Sequence, residues 1–224
     1  DDAISNFHSA VKAGRNNLLL YAVMRFGKSF TSMCCALDAK AKFVIIVSAK
    51  ADVKEEWKKT VESHVLFADY VFADAESLDR KQKLISSTLA EGKRIVLFLT
   101  LQDLQGDEIK KRHAEVFDLQ SDLLIIDETH FGARAEKYGK VLEGFGLRKA
   151  EAAVETAGKF GDFIKEGDEE TVKQLDTKIR IHLSGTPYRI LMSGEFSKED
   201  IIAFCQFSDI VEEQKRWDEE DRKS

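Results

Sequence analysis

Short apolar runs recur along the chain, and between them apolar residues return every three or four positions. The runs cover residues 18–23, 43–47, 95–100 and 123–126, with a shorter one at Tyr70-Val71-Phe72. Runs this brief and this rich in Leu, Ile and Val suit strands buried on both faces. Residues 178–183 alternate polar with apolar and predict a further strand, and Pro187 fixes the turn at its end. Helical spacing occurs at Ile4, Phe7, Ala10 and Val11, with Gly14 as a helix stop, and again over residues 30–39. Residues 51–65 predict a helix with Val53, Trp57 and Val61 on one face, where Trp57 reads as a core anchor rather than a base-stacking side chain. A helix over 76–90 stops at Gly92, and a short charged helix ends near His113. Strands alternating with helices imply an α/β fold with a parallel sheet covered on both faces.

Two regions break this rhythm. Residues 133–177 are rich in Ala, Glu, Lys and Gly and predict two or three helices inserted beside the sheet. From Ser197 onward two further helical stretches are expected, ending in the mixed charges of Glu212 to Lys223, typical of a solvated helix or linker.

The 224 residues, 43% hydrophobic, are enough for one large domain with a substantial core. The net charge of −6 gives no global basic field, which argues against a polybasic nucleic-acid binder while leaving room for a local basic groove. Cys34, Cys35 and Cys205 form no Cys-x-x-Cys pair, as expected of reduced thiols in the cytoplasm. No run approaches the roughly 20 apolar residues of a membrane span, and the acidic Asp1-Asp2 start is unlike a signal peptide. A first residue other than Met reads as the start of a fragment or a processed chain. His8, His64, His113 and His182 are scattered without metal-ligand spacing and read as surface or core-edge residues.

Candidate chemistry gathers at two strand ends. The run 123–126 stops abruptly at Asp127-Glu128, and acids at the end of a buried parallel strand project into the crevice where open α/β sheets bind ligands. One acid can hold a metal ion while the other polarises a water. About a hundred residues earlier, the run 18–23 leads through Met24-Arg25-Phe26 into Gly27-Lys28-Ser29 and then a helix. Strand, loop with Gly-Lys-Ser, then helix is the context a phosphate-binding loop requires. Backbone N–H groups at the helix start surround phosphate oxygens, and a side chain at Gly27 would obstruct them. Lys28 can reach the terminal phosphates and the Ser29 hydroxyl can ligate magnesium. Gly-Lys-Ser alone is a weak signal; paired with the Asp127 strand it becomes a strong one.

Five blocks then stand in a familiar order. Residues 22–29, 127–130 and 184–189 resemble motifs I, II and III of superfamily 2 helicases and translocases, with Val47-Ser48-Ala49-Lys50 similar to motif Ia and Thr100-Leu101-Gln102-Asp103-Leu104 to motif Ib. Asp127-Glu128-Thr129-His130 together with Ser184-Gly185-Thr186-Pro187-Tyr188-Arg189 is most similar to the restriction-enzyme type, the motor subunits of type I and type III systems. The resemblance covers residues 15–190 apart from the insertion. It implies a P-loop NTPase (RecA-like) three-layer sandwich and an ATP-dependent DNA helicase or translocase using ATP and Mg²⁺. By the same resemblance, Arg25, Phe26, Gly27, Lys28, Ser29, Phe30 and Thr186 would line the nucleotide, Ser29 and Asp127 would hold the metal, the second through water, and Glu128 would activate water. His130 and Thr186 would couple the phosphates to DNA, with the motif III strand between those of motifs I and II. Ser48, Lys50, Thr100 and Gln102 would face a nucleic-acid strand.

Ala22 stands where the phosphate-loop pattern has its first glycine, and Arg25 where many relatives have a small residue. The resemblance also calls for a second RecA-like domain with an arginine finger, which nothing after Arg189 supplies. The expected division is a first motor domain over residues 1–205 and an exit helix or linker over 206–224, the chain being one lobe of a longer parent. Its expected partners are DNA and nuclease or methyltransferase segments or subunits of that parent, with no membrane. Alone it is expected to bind ATP weakly and hydrolyse it poorly. Two alternatives stay open: a P-loop ATPase switch without nucleic-acid work, and a non-catalytic ATP-binding scaffold.

Overall fold

The apolar runs become strands, and every strand pairs parallel to its neighbours. The computed structural model describes residues 2–22, 27–48, 50–104, 113–127, 175–184 and 196–205. Among them lie β1 (Asn17–Ala22), β2 (Phe43–Ser48), β3 (Tyr70–Asp74), β4 (Arg94–Thr100), β5 (Ser121–Asp127), β6 (Thr177–Ser184) and β7 (Ile201–Cys205). They form one seven-stranded sheet in the order β3-β4-β2-β5-β6-β1-β7. None of the described strands runs antiparallel, and the described helices between them cover both faces of the sheet. The helices are α1 (Asp2–Lys12), α2 (Lys28–Asp38), α3 (Lys54–Ser63), α4 (Ala75–Arg80), α5 (Leu84–Ala90) and α6 (Ala114–Asp118). Among the described residues no helix is long and apolar enough to cross a membrane.

Strand alternation sorts the core into two layers. Leu18, Leu20, Val44, Ile46, Leu123, Ile125, Ile181 and Leu183 pack with α1, α2 and α3 through Phe7, Met33, Trp57 and Val61. The intervening residues Ile45, Val47, Ile95, Leu97, Leu124 and Ile126 pack with α4, α5 and α6 through Leu78, Ile85 and Val116. The result is a three-layer α/β sandwich.

Polar clamps set the edges of this arrangement. Asp122 accepts the backbone N–H groups of Lys42 and Phe43 at 2.8 and 3.0 Å, and its other oxygen meets Lys178 Nζ at 2.6 Å. One carboxylate therefore aligns the starts of β2, β5 and β6. Burial pushes the Asp122 carboxyl up, but the Lys178 ammonium and the two backbone donors together hold it below the usual carboxylate range. At the other edge, Arg15 donates to Asp200 at 2.7 Å and to Ser197 at 3.1 Å, tying the approach to β7 to the loop before β1. Gly14, at φ +83°, ends α1 as expected and lets Arg15 turn back.

Three expectations differ from the structure. The helix over 76–90 is two helices, with Lys81 extended and Lys83 left-handed between them. A remote group causes the break: Glu115 of α6 accepts the backbone N–H groups of Ile85 and Ser86, each at 3.2 Å, and caps α5 as a separate helix. Residues 201–205, expected to be helical, form the edge strand β7 beside β1, where Tyr21 and Phe204 pack ring to ring at 4.7 Å. A five-residue apolar run is equally readable as helix or strand, and the open edge of β1 decides it. The end of the predicted insertion also shifts, because Leu175 is buried and Thr177 already opens β6. The rest of the insertion and residues 206–224 lie outside the described residues, as does most of the charged helix expected before His113.

Candidate functional site

Strand order brings the two candidate blocks to one end of the sheet. β5 and β1 are separated only by β6, so their carboxyl ends lie two strand spacings apart, about 10 Å. The strand that carries Ser184 thus runs between the strands of Gly27-Lys28-Ser29 and Asp127. Parity then sets the direction of each side chain. Asp127 follows Leu123 and Ile125 on the face covered by α2 and α3.

On the β1 side the sheet ends at Ala22, fully buried, and α2 begins at Lys28. Gly27 precedes it with φ 75° and ψ 30°, a left-handed conformation that favours glycine. Gly27, as N-cap, has no side chain to cap α2, and among the described residues a Cβ built on it would meet nothing within 4 Å. Among the described residues, the helix start thus presents N–H donors that no side chain of Gly27 caps, which suits an anion. Lys28 is half-buried and Ser29 is buried at 9% exposure, while Phe30 is exposed and its ring packs on His64 at 4.8 Å and Phe67 at 5.5 Å. The Phe30 ring is therefore engaged along the flank of the helix. Ser32 donates to the Lys28 carbonyl at 2.7 Å and tightens the first turn.

On the β5 side, Asp127 is buried at 9% exposure and its Oδ2 accepts the Trp57 indole N–H at 2.9 Å. Sequence reasoning identified Trp57 only as a core residue. It is one, at 1% exposure, and it also carries a polar bond to the metal candidate. The available signal was chemical: a buried indole needs an acceptor for its N–H.

The four candidate nucleic-acid residues separate into two kinds. Thr100, Ser48 and Asp127 stand in one cross-strand row over β4, β2 and β5. Ser48 is buried at 1% exposure, and its hydroxyl accepts the Lys50 N–H at 3.2 Å. The Ser48 carbonyl accepts the Leu101 N–H at 3.0 Å, joining the two loops just past the sheet. Thr100 donates its hydroxyl to Asp103 at 2.8 Å, and Asp103 also accepts the Thr100 N–H. Ser48 and Thr100 therefore shape turns, and the side chains these turns present to solvent are Lys50 and Gln102. Arg25, Phe26, Glu128, His130 and Thr186 lie outside the described residues.

The donor set at this end of the sheet fits a magnesium-bound nucleotide. One carboxylate, Asp127, and one hydroxyl, Ser29, are hard oxygen ligands of the sparse kind magnesium takes when phosphates complete its shell.

A family model described as "Type III restriction enzyme, res subunit" matches residues 1–189. A Mycoplasma pneumoniae protein, named as the C-terminus of a type II restriction enzyme and methyltransferase, is 27% identical over 209 residues. That match covers 85% of this chain and 28% of the relative. Among solved structures, the SWI2/SNF2 ATPase core of Sulfolobus solfataricus in complex with dsDNA superposes with a TM-score of 0.53 at 13% identity. It covers 91% of this chain and 43% of that one, and at such low identity the likeness is one of fold. The chain belongs to the type III restriction enzyme res-subunit family, as a superfamily 2 helicase-type first RecA-like domain.

Proposed function

We propose that the chain is the ATP-binding lobe of an ATP-dependent DNA helicase or translocase of a restriction system. The observation that carries this reading is the convergence of uncapped α2, Ser29 and Asp127 at neighbouring carboxyl ends of a parallel sheet, the β6 strand between them. Lys28 contacts the β- and γ-phosphates, while the N–H groups following Gly27, with Arg25, Phe26, Phe30 and Thr186, complete the nucleotide's surroundings. Ser29 and, through water, Asp127 would hold Mg²⁺, which would supply the positive charge that phosphoryl transfer needs. Glu128 orients the attacking water and takes its proton. His130 links the phosphate end to the residues after β6.

DNA passes over the loops that follow β2 and β4, where Lys50 and Gln102 offer a cation and an amide to backbone phosphates. The dsDNA in the SWI2/SNF2 complex supports this by analogy of fold. Residues 1–205 form the lobe, with an insertion that begins at 133 and ends before Leu175, and 206–224 form the exit toward a second RecA-like domain. That second lobe supplies the arginine finger, and nuclease or methyltransferase segments act alongside. The test is ATP hydrolysis by the full-length protein with and without DNA. Stimulation by duplex or single-stranded DNA is expected, with the isolated chain turning over far more slowly. Hydrolysis that neither DNA form changes would refute the motor and leave a P-loop switch.

A further inference from the structure

The indole of Trp57 has a consequence beyond packing. α3 begins just after the β2 end, and its rotation is fixed by Lys54, whose ammonium meets Asp74 at the end of β3 at 3.1 Å. With that rotation set, Trp57 and Val61, one turn apart, both point onto the sheet among Ile46 and Ile125. Ser48 and Asp127 are cross-strand partners, so the helix that follows β2 passes over the β5 end. The Trp57 N–H arrives at Asp127 Oδ2 from that side, 2.9 Å away, with both groups buried.

A buried carboxylate is costly without hydrogen bonds, and a buried indole N–H is costly without an acceptor. The pair gives the indole its acceptor and the carboxylate one donor at Oδ2. The donor's chemistry matters as well. A Lys or Arg in this place would bring a positive charge that competes with a cation for the carboxylate. The indole brings none: its bond orients the Asp127 carboxylate without adding a positive charge of its own. Donors behind a ligating carboxylate set its orientation, and their loss typically lowers metal affinity about 10- to 100-fold.

We propose that Trp57 is a positioning residue for the magnesium site: its N–H holds Asp127 in the orientation that engages the metal through water. This rests on the nucleotide-site reading above and extends it to a residue outside the helicase motifs.

The chain has two tryptophans, Trp57 and Trp217, so Trp217→Phe leaves Trp57 as the single reporter. In that background Trp57 is replaced by Phe, and separately by benzothienylalanine, which keeps the shape of the indole and puts sulfur in place of N–H. ADP affinity is measured by calorimetry with Mg²⁺ and with EDTA, alongside the melting temperature, using Asp127→Asn as the comparator. Both replacements are expected to lower the Mg²⁺-dependent gain in ADP affinity roughly 10-fold and to leave affinity in EDTA unchanged. The benzothienyl protein should melt like its parent, while Trp57→Phe, which also loses volume, melts lower. Trp57 emission should shift with Mg²⁺ and ADP together and stay constant with ADP in EDTA.

Two outcomes overturn the proposal alone: a benzothienyl protein with an undiminished Mg²⁺ gain, or one that loses affinity equally with and without metal. In either case the nucleotide site stands, provided Asp127→Asn abolishes the Mg²⁺ gain. An Asp127→Asn protein that keeps the full gain refutes the nucleotide-site reading and this inference with it.

Discussion

Gly27→Ala separates backbone strain from obstruction of the phosphate mouth. Gly27 sits at φ 75°, and an alanine there costs about 1–2 kcal/mol as a non-glycine residue in left-handed conformation. No steric clash adds to this, because the new Cβ meets nothing within 4 Å. In a chain this long, that cost lowers the melting temperature by roughly 2–8 °C. The same Cβ occupies the space through which phosphate oxygens reach the first N–H groups of α2. Losing even one hydrogen bond to a charged oxygen costs about 1.5–3 kcal/mol, so ATP affinity should fall at least about 10-fold. Gly27→Asn is the control, since asparagine tolerates left-handed backbone far better while blocking the mouth at least as much. Thermal melts followed by circular dichroism, with calorimetry of ATP–Mg²⁺ binding to the full-length protein, should show Asn restoring stability and not affinity. The reasoning is refuted if Gly27→Ala melts lower yet binds ATP as tightly as wild type, or if Gly27→Asn recovers affinity together with stability.

Three further predictions use other parts of the frame. Glu128→Gln should abolish ATP hydrolysis by the full-length protein and preserve nucleotide binding; equal loss of both in calorimetry and turnover assays would make Glu128 structural. Asp122→Asn should cost about 1 kcal/mol at pH 7, through the Lys178 pair and weaker backbone bonds. The Asp122 carboxyl lies below its usual range when folded, so its stabilisation is complete above the unfolded value of about 3.9 and fades as pH falls through the lower folded value. Urea midpoints of wild type and variant should therefore converge toward pH 2–3, and a gap of constant size would contradict the assignment. Arg15→Ala removes the donor to Asp200 and Ser197, so hydrogen exchange should speed up at residues 201–204 while β5 stays protected; uniform acceleration would show that Arg15 supports the whole core instead.

Legibility followed the range of the interactions involved. Periodicity reports burial, so β2, whose run is buried on both faces, is readable nearly to the residue, and 123–126 mark the middle of β5 within Ser121–Asp127. The same was true of α1, which Gly14 ends by a purely local device. The α4–α5 break was not readable, because Glu115 of α6 caps α5 from thirty residues away and nothing in residues 76–90 marks it. β7 was not readable for a related reason, since a short apolar segment becomes a strand only where β1 offers it an unpaired edge.

The candidate site shows the same dependence on range. Gly27, Lys28 and Ser29 could be placed from adjacency to a strand and a helix, and Asp127 from its position at the end of an apolar run. Trp57 could not be placed so. Its i, i+4 spacing to Val61 predicts burial correctly, but spacing says nothing about what its N–H meets. That depends on β2 and β5 being neighbours, which puts the end of one strand under the helix that follows the other. Ser48 illustrates the converse: its motif position suggests a surface contact, whereas the row it shares with Asp127 buries it and turns its hydroxyl to the Lys50 N–H. Motif spacing therefore points to the residues proposed to meet ligand. The residues that hold those in place are fixed by strand order, and they emerge only once the sheet is assembled.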